Sequence, residues 1–195
     1  MKLDREAIVS EALTLLDESG LDAVSTRQLA KRLGVEQPSL YWHFRNKASL
    51  LDAMAEAAIA GHATAPLPTP SDDWRDWLVE NSRSFRRALL AHRDGARLHA
   101  GTTPQGVDLS RALHKLRFLV SAGLPEHDAR IAMLTTSHFT VGSVLEQQAE
   151  EAAEGEDPGL DRAAAFEAGL KLIVDGVALR AEPTTAVAAS PSNSR

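Results

Sequence analysis

Cysteine is absent from this 195-residue chain, which excludes a disulfide framework, a thiolate nucleophile and any cysteine-based zinc site. Aromatic residues make up only 5%. Val, Ile and Thr never alternate with polar residues for long enough to suggest a sheet. No apolar run approaches the roughly 20 residues that a bilayer-spanning helix needs. The opening MKLDREAIVSEA mixes acids and bases where a secretory signal would be uninterruptedly apolar. The expectation is a cytoplasmic protein without a membrane partner. What is present is 44% hydrophobic and 25% charged residues, a balance that suits packed domains and is too apolar for a wholly disordered chain. The net charge of −6, taken alone, opposes nucleic-acid binding. Its distribution does not. Residues 25–48 carry Arg27, Lys31, Arg32, Arg45 and Lys47 against Glu36 alone, a net of +4, and a phosphate backbone responds to local charge.

Helical periodicity dominates, so the expected fold class is all-α. Asp4 is placed to cap a first helix with Ile8, Ala12, Leu15 and Leu16 on one face, ended by Gly20. Ser25, with Gln28 three residues later, has the capping-box pattern for a second helix, which buries Leu29, Ala30 and Leu33 and stops at Gly34. Pro38 fits the start of a short third helix, QPSLYWHF, anchored by Leu40. Asn46 can cap a fourth through LLDAMAEAAIAGH. The three prolines of ATAPLPTPSDD mark a seam between domains. Beyond it, helices are expected from WRDWLVENSRSFRRALLAHRD, near 108–122, over 126–150 and over 161–180, with an acidic, breaker-rich loop EEAAEGEDPG before the last. The domain plan is therefore a three-helix DNA-binding unit over 1–46, a connecting helix over 47–64, a helical ligand-binding and dimerisation unit over 65–180, and a tail over 181–195 of disordered composition.

Two short helices joined at LGVEQ, the second opening on a proline, make a helix-turn-helix, and the glycine allows the sharp turn. A recognition helix sends its N-terminal side chains to base edges, here Gln37, Ser39 and Tyr41. Gln bonds adenine bidentately, and Arg27 can do the same to guanine. Pro38 and the Tyr41 ring offer apolar surface to thymine methyls. Thr26, His43 and Lys47 suit phosphate oxygens, which position a domain without reading sequence. The bland alternative is a three-helix cap with Tyr41, Trp42 and Phe44 as core. Three bulky aromatics within four positions of one short helix cannot all face inward, so Trp42 or a neighbour is left for the DNA face.

The run TRQLAKRLGVEQPSLYWHFRNKASLLDAM resembles the DNA-binding domain of the TetR family of transcription regulators. QPSLYWHFRNK, ENSRSFRRALLAHRDGARLHAGT and TSHFTVGSVLEQQ resemble the tetracycline-repressor branch, and the likeness covers roughly residues 4–150. By spacing alone, Asn81 and Phe85 share one helix face, and His99 and Thr102 flank a glycine break. His138 and Glu146 lie about 12 Å apart along one helix, so both could line one elongated cavity without chelating one ion unaided. A lone histidine in an amphipathic helix is more often packing or surface than ligand. The resemblance implies more: an inducer pocket of Asn81, Phe85, His99, Thr102, Pro104, Lys115, His138 and Glu146. His99 would be the direct ligand of a magnesium ion brought in by the drug, with no obligatory cofactor otherwise. It also implies a homodimer on double-stranded, near-palindromic operator DNA, joined through the two last helices, whose apolar surface includes Ile131, Leu134, Val141, Leu145, Leu170, Ile173 and Val177.

Three positions depart from the branch: Ala63 where a histidine is usual, Lys115 for a glutamine and Thr103 for an arginine. On a continuous helix, His62 is turned by about 100° from the position of Ala63, so it is a poor stand-in. His62, His92, His114 and His127 are expected to face solvent or pack. The expectation is thus a ligand-released repressor, not an enzyme, with ordinary tetracycline bound more weakly than by true tetracycline repressors. Two rivals stand beside it. One is a DNA-binding protein of the same fold whose C-terminal domain is structural or senses an unrelated ligand. The other is a helical enzyme, for which the chain offers no plausible nucleophile.

Overall fold

The computed structural model describes residues 3–100, 107–153 and 159–181. Thr102, Thr103, Pro104 and all but the first residue of the 181–195 tail lie outside the described residues. The fold is all-α, with helices α1 (Arg5–Ser19), α2 (Thr26–Leu33), α3 (Gln37–Leu40), α4 (Lys47–Ala58), α5 (Ala60–Ala63), α6 (Trp74–Leu90), α7 (Gly95–His99), α8 (Val107–Ser121), α9 (Glu126–Ala152) and α10 (Arg162–Ala178), plus a 3-10 turn at Leu21–Ala23. Among the described residues, no helix is long and apolar enough to cross a membrane.

The first four helices close around one core. Ile8, Ala12, Leu15 and Leu16 of α1 meet Leu29, Leu40, Phe44, Leu50 and Met54. The caps act as the residue types demand. Asp4 accepts from the Ala7 amide at 2.9 Å, and Ser25 Oγ accepts from the Gln28 amide at 3.2 Å. Asn46 and Ser49 form a reciprocal capping box at the start of α4. Gly34 adopts a left-handed φ of 66° that ends α2 and turns the chain into α3. Pro38 lies second in α3, after Gln37.

A second core joins Trp74 and Leu78 of α6 to Leu116 and Leu119 of α8, Ala129 and Ala132 of α9, and Phe166 and Leu170 of α10. Phe139 stacks on Phe166 at 5.4 Å. Helix α9 is the spine, packed on α6, α7, α8 and α10. A third, smaller cluster of Phe85, Leu89, Ala96 and Val144, with Ile59 against it, sits where α6, α7 and α9 meet.

Three expected helices differ: the third ends at Leu40 rather than Phe44, the one opening at Trp74 ends at Leu90 rather than Asp94, and the fourth is broken. The fourth helix does not run unbroken to His62. It ends at Ala58, Ile59 leaves helical geometry with ψ at 8°, and α5 starts afresh. Ile59 packs against the third cluster, so burial of its side chain competes with helix continuation and prevails.

Helix α7 is wedged between the two halves. A Cβ on Gly95 would sit 2.1 Å from the Leu89 carbonyl oxygen, well inside contact distance. Because that obstacle is backbone, Gly95→Ala should destabilise the protein by about 2–4 kcal/mol. The urea midpoint should fall by that amount, with the slope of the transition unchanged.

Candidate functional site

Two faces of the molecule carry the sequence-expected residues. At the first, the short α3 exposes what its length cannot bury. Leu40 and Phe44 are core, whereas Tyr41 is 49% exposed and Trp42 91%. Gln37 is held from both sides. Its Nε2 donates to Thr26 Oγ1 at 2.9 Å and to Tyr41 Oη at 3.4 Å. Arg5 fixes the far end, with its guanidinium 4.4 Å over the Phe44 ring and donating to the His43 carbonyl oxygen at 3.1 Å. Pro38 is exposed, and Ser39 and His43 are partly so. Arg27, Lys31, Arg45 and Lys47 are exposed, and none forms an ion pair among the described residues. Arg32 belongs to the other side. It bonds Glu11 at 2.6 Å and also Glu18, whose carboxyl it holds below the ordinary range. One charge of the +4 window is thus spent on fastening α2 to α1, and the remaining cations form the surface that an anion would meet.

At the second face, α5, α6, α7 and α8 bring side chains together. Phe85 is buried, its ring 5.1 Å from that of His62 and 5.0 Å from that of His99. His62 Nδ1 shares a hydrogen bond with Ser84 Oγ at 3.2 Å. Lys115 Nζ donates to Asn81 Oδ1 at 2.7 Å. Arg111, one turn before Lys115, donates to the Ala65 carbonyl oxygen, and His114 Nε2 lies 3.0 Å from that of Pro68. These two contacts tie the proline-rich connector to α8. Burial, then the nearby Lys115 and Arg111, push the His62 imidazole down to about 4. Burial also lowers that of His99. Both rings are therefore neutral at physiological pH, each with a nitrogen lone pair.

Asn81 and Lys115 thus pair with each other, and Phe85 with His99. His138 and Glu146 do not join them within the chain. Helix α9 turns Ala129, Ala132, Thr136, Thr140 and Val144 inward. At about 100° per residue, positions 138 and 146 then point away. Both are exposed, and Glu146 pairs with Arg162 at 3.3 Å. The elongated cavity expected from their spacing is not formed by one chain. His62 is the converse case. The restart after Ile59 re-aims α5 as a whole, and the His62 imidazole packs on Phe85. The signal available in the sequence was the β-branched Ile59 followed by Ala-Gly, a weak break mark.

Among the described residues, no group of three or more His, Asp or Glu side chains is placed to hold a metal ion. One neutral imidazole at His99 could supply a single nitrogen. A hard divalent ion would fit here only when a chelating ligand and water provide its other donors.

The chain matches two family models: "Bacterial regulatory proteins, tetR family" over residues 8–54 and "Tetracyclin repressor-like, C-terminal domain" over residues 66–159. It belongs to the TetR family. Among its relatives is the class A tetracycline repressor of transposon 1721 from Escherichia coli, 50% identical across 92% of both chains. A TetR variant from Acinetobacter baumannii AYE, solved with minocycline, superposes with a TM-score of 0.85 at 48% identity, covering 93% of this chain and 100% of that one. TetR of class A, solved with 5a,6-anhydrotetracycline and magnesium, gives 0.81 at 51% identity, covering 91% and 99%. The likeness extends past the motifs at 4–150 to most of the chain.

The neutral imidazoles carry a pH consequence. Their folded-state values lie below the unfolded 6.5, so between pH 6.5 and about 4 the unfolded chain binds more protons, and stability falls as pH falls. His62→Gln, which can still bond Ser84, should remove about 2 kcal/mol of that loss. Urea unfolding of both proteins at pH 7 and pH 4.5 measures the difference.

Proposed function

We propose that this TetR-family chain is a ligand-responsive transcriptional repressor. As a homodimer it binds a near-palindromic operator, and it releases the DNA when a planar, oxygen-rich, tetracycline-like molecule enters the Phe85 site. The supporting observation is the dual anchorage of α7. Leu98 is buried in the core of the DNA-binding half, and the next residue, His99, lies against Phe85. A ligand that moves His99 therefore pulls on the element that seats the helix-turn-helix. Such a ligand shifts the populations of the two arrangements by its difference in affinity for them. Near neutral pH the imidazole can meet a magnesium ion carried by the inducer, and the similar class A TetR is known in complex with 5a,6-anhydrotetracycline and magnesium. The ion would supply positive charge that fixes the ligand's oxygens. This chain's own residues orient the rings and exclude water.

The dimer reading is supported by apolar side chains left in solvent on α9 and α10. Ile131 is 47% exposed, Leu134 51% and Leu172 75%. Leu170 is fully buried, and Val141, Ile173 and Val177 are half-buried, so those expected bundle positions serve this chain's own packing in whole or in part. His138 and Glu146 are on the outward side of α9 with Ile131 and Leu134, so they would face the partner. The assignment of 1–46 to DNA, 47–64 to transmission and 65–180 to ligand and partner follows from this reading. So do a cytoplasmic location and the absence of catalysis. The rival with a merely structural C-terminal half has less support, because three rings and a Lys-Asn pair are an uneconomical way to fill a core.

On the DNA face, Gln37→Ala and Arg27→Ala should each cost roughly 1–3 kcal/mol at the operator and relax preference at one base pair. Lys47→Ala should weaken all sequences alike and flatten the salt dependence. Gel-shift titration against the DNA upstream of the protein's own gene measures both effects. If Gln37→Ala left operator and random DNA affinities unchanged, the recognition surface would lie elsewhere. Adding anhydrotetracycline with magnesium to the same complex should release the operator. A complex that survives saturating drug, from a protein shown to bind it, would remove the sensor from this reading.

A further inference from the structure

We propose that Arg111 is a positioning residue for operator release. With His114 it clamps the proline-rich connector to α8, which gives the ligand site a second route to the DNA-binding half, separate from α7. The inference rests on the sensor reading above and names a side chain through which the sensor acts.

The connector is stiff along its length and is fastened by side chains. Pro66, Pro68 and Pro70 alternate with Ala65, Leu67 and Thr69. Each proline fixes its own φ, biases the residue before it towards extended backbone, and has no N–H to donate. A proline-rich segment acts as a semi-rigid spacer, so displacement at one end reaches the other instead of being absorbed as slack. The far end is closed by Thr69, whose amide and hydroxyl both donate to Asp72 Oδ2, at 2.7 and 3.0 Å. Asp73 then caps α6. The near end and middle are held by α8. The Arg111 guanidinium donates to the Ala65 carbonyl oxygen. His114 Nε2 lies 3.0 Å from the carbonyl oxygen of the buried Pro68. That oxygen can only accept, so Nε2 carries the hydrogen. Residues three apart on a helix are neighbours on its surface, and these two grip carbonyls three residues apart in the connector.

The clamp has the ligand site on one side and the DNA-binding half on the other. On α8, Lys115 follows His114 and donates to Asn81 at 2.7 Å, one turn before Phe85 on α6. In the connector, Ala65 follows directly on Thr64, the cap of α5. Helix α5 sets His62 against Phe85 and touches both α4 and α6. Helix α4 in turn places Leu50 and Met54 in the core of the DNA-binding half. A guest that shifts α8 therefore pulls on Ala65, on the end of α5 and then on α4. The other route enters through α7, which meets α4 separately.

The test uses the full-length protein, Arg111→Met, which has an unbranched stem and no donor, and Arg111→Lys, which keeps a donor. Hydrogen exchange of the ligand-free proteins reads the clamp itself. The Ala63 and Thr64 amides donate to the Ile59 and Ala60 carbonyl oxygens at 2.8 and 2.9 Å. In Arg111→Met their protection should fall by about tenfold or more, while that of α1 stays unchanged. Operator affinity with and without saturating anhydrotetracycline and magnesium reads the transmission. In Arg111→Met the factor by which the drug weakens operator binding should fall about tenfold, with drug affinity of the free protein kept within about threefold. Arg111→Lys should restore both readings. A variant that is merely less stable would lose affinity for both partners and keep their coupling. The inference is overturned if protection of α5 is unchanged, or if it falls while the drug weakens operator binding as much as in the wild type. In both cases a wild type that still releases its operator keeps the sensor reading. A wild type that holds its operator at saturating drug overturns the sensor reading and the transmission role together.

Discussion

Helix α7 has five residues, of which Gly95, Ala96 and Leu98 are buried, and the two halves of the molecule are held in register by what it and the residues just before it touch. Gly95 and Ala96 are closed against α6 and α9, with the Ala96 amide donating to Gln148 Oε1 at 3.2 Å. Leu98 is in the core of the DNA-binding half. Asp94, just before the helix, takes a left-handed φ of 55°, and its carboxylate accepts from the Leu21 amide at 2.8 Å. Arg97 reaches Asp22 and Asp94 at 3.1 and 3.3 Å. Asp17 meets both the Arg93 amide and His92 at 3.0 Å. A backbone conformation that costs about 1 kcal/mol or more persists because contacts on both sides determine it. The seam is thus made of directional bonds around one buried leucine.

The same economy governs the proposed ligand site. Its rings come from three helices, yet each is placed by a backbone event close to it in sequence: the interruption at Ile59 for His62, and the end of α7 for His99. The contacts of Phe85 with two imidazoles, at 5.1 and 5.0 Å, mean that a planar guest would replace ring contacts that already exist. The net gain on binding is a difference between contacts of similar kind.

Much of this was legible in the amino-acid order because local chemistry and tertiary outcome agree there. Asp4, Ser25, Gly34 and Asn46 end or begin helices for reasons contained within four residues, and Ile8 through Leu16 have one face to bury. The meeting of Asn81, Phe85 and His99 was reachable through resemblance, which carries tertiary information that spacing does not. The failures share a cause. The packing of His62 on Phe85 depends on Ile59 choosing burial over helix continuation, a choice made by α6, α7 and α9 rather than by its neighbours. Where His138 and Glu146 lie on the single chain was not legible, because an eight-residue spacing fixes their common side but not which side. Only the rest of α9, with Thr136 and Thr140 turned inward, decides that. Arg32 was counted toward DNA although its partners, Glu11 and Glu18, sit on another helix. In each case the missing information was long-range.

The bonds that hold Gln37 bear on time rather than strength. On the proposed DNA face, its amide NH2 is already engaged by Thr26 and Tyr41, so passing a wrong base leaves no orphaned donor there. Meeting the right base exchanges one satisfied state for another. A protein built this way glides over most of a genome without sticking. Its discrimination comes from how long it stays at a site, because the folded-back glutamine lets it leave every other sequence quickly.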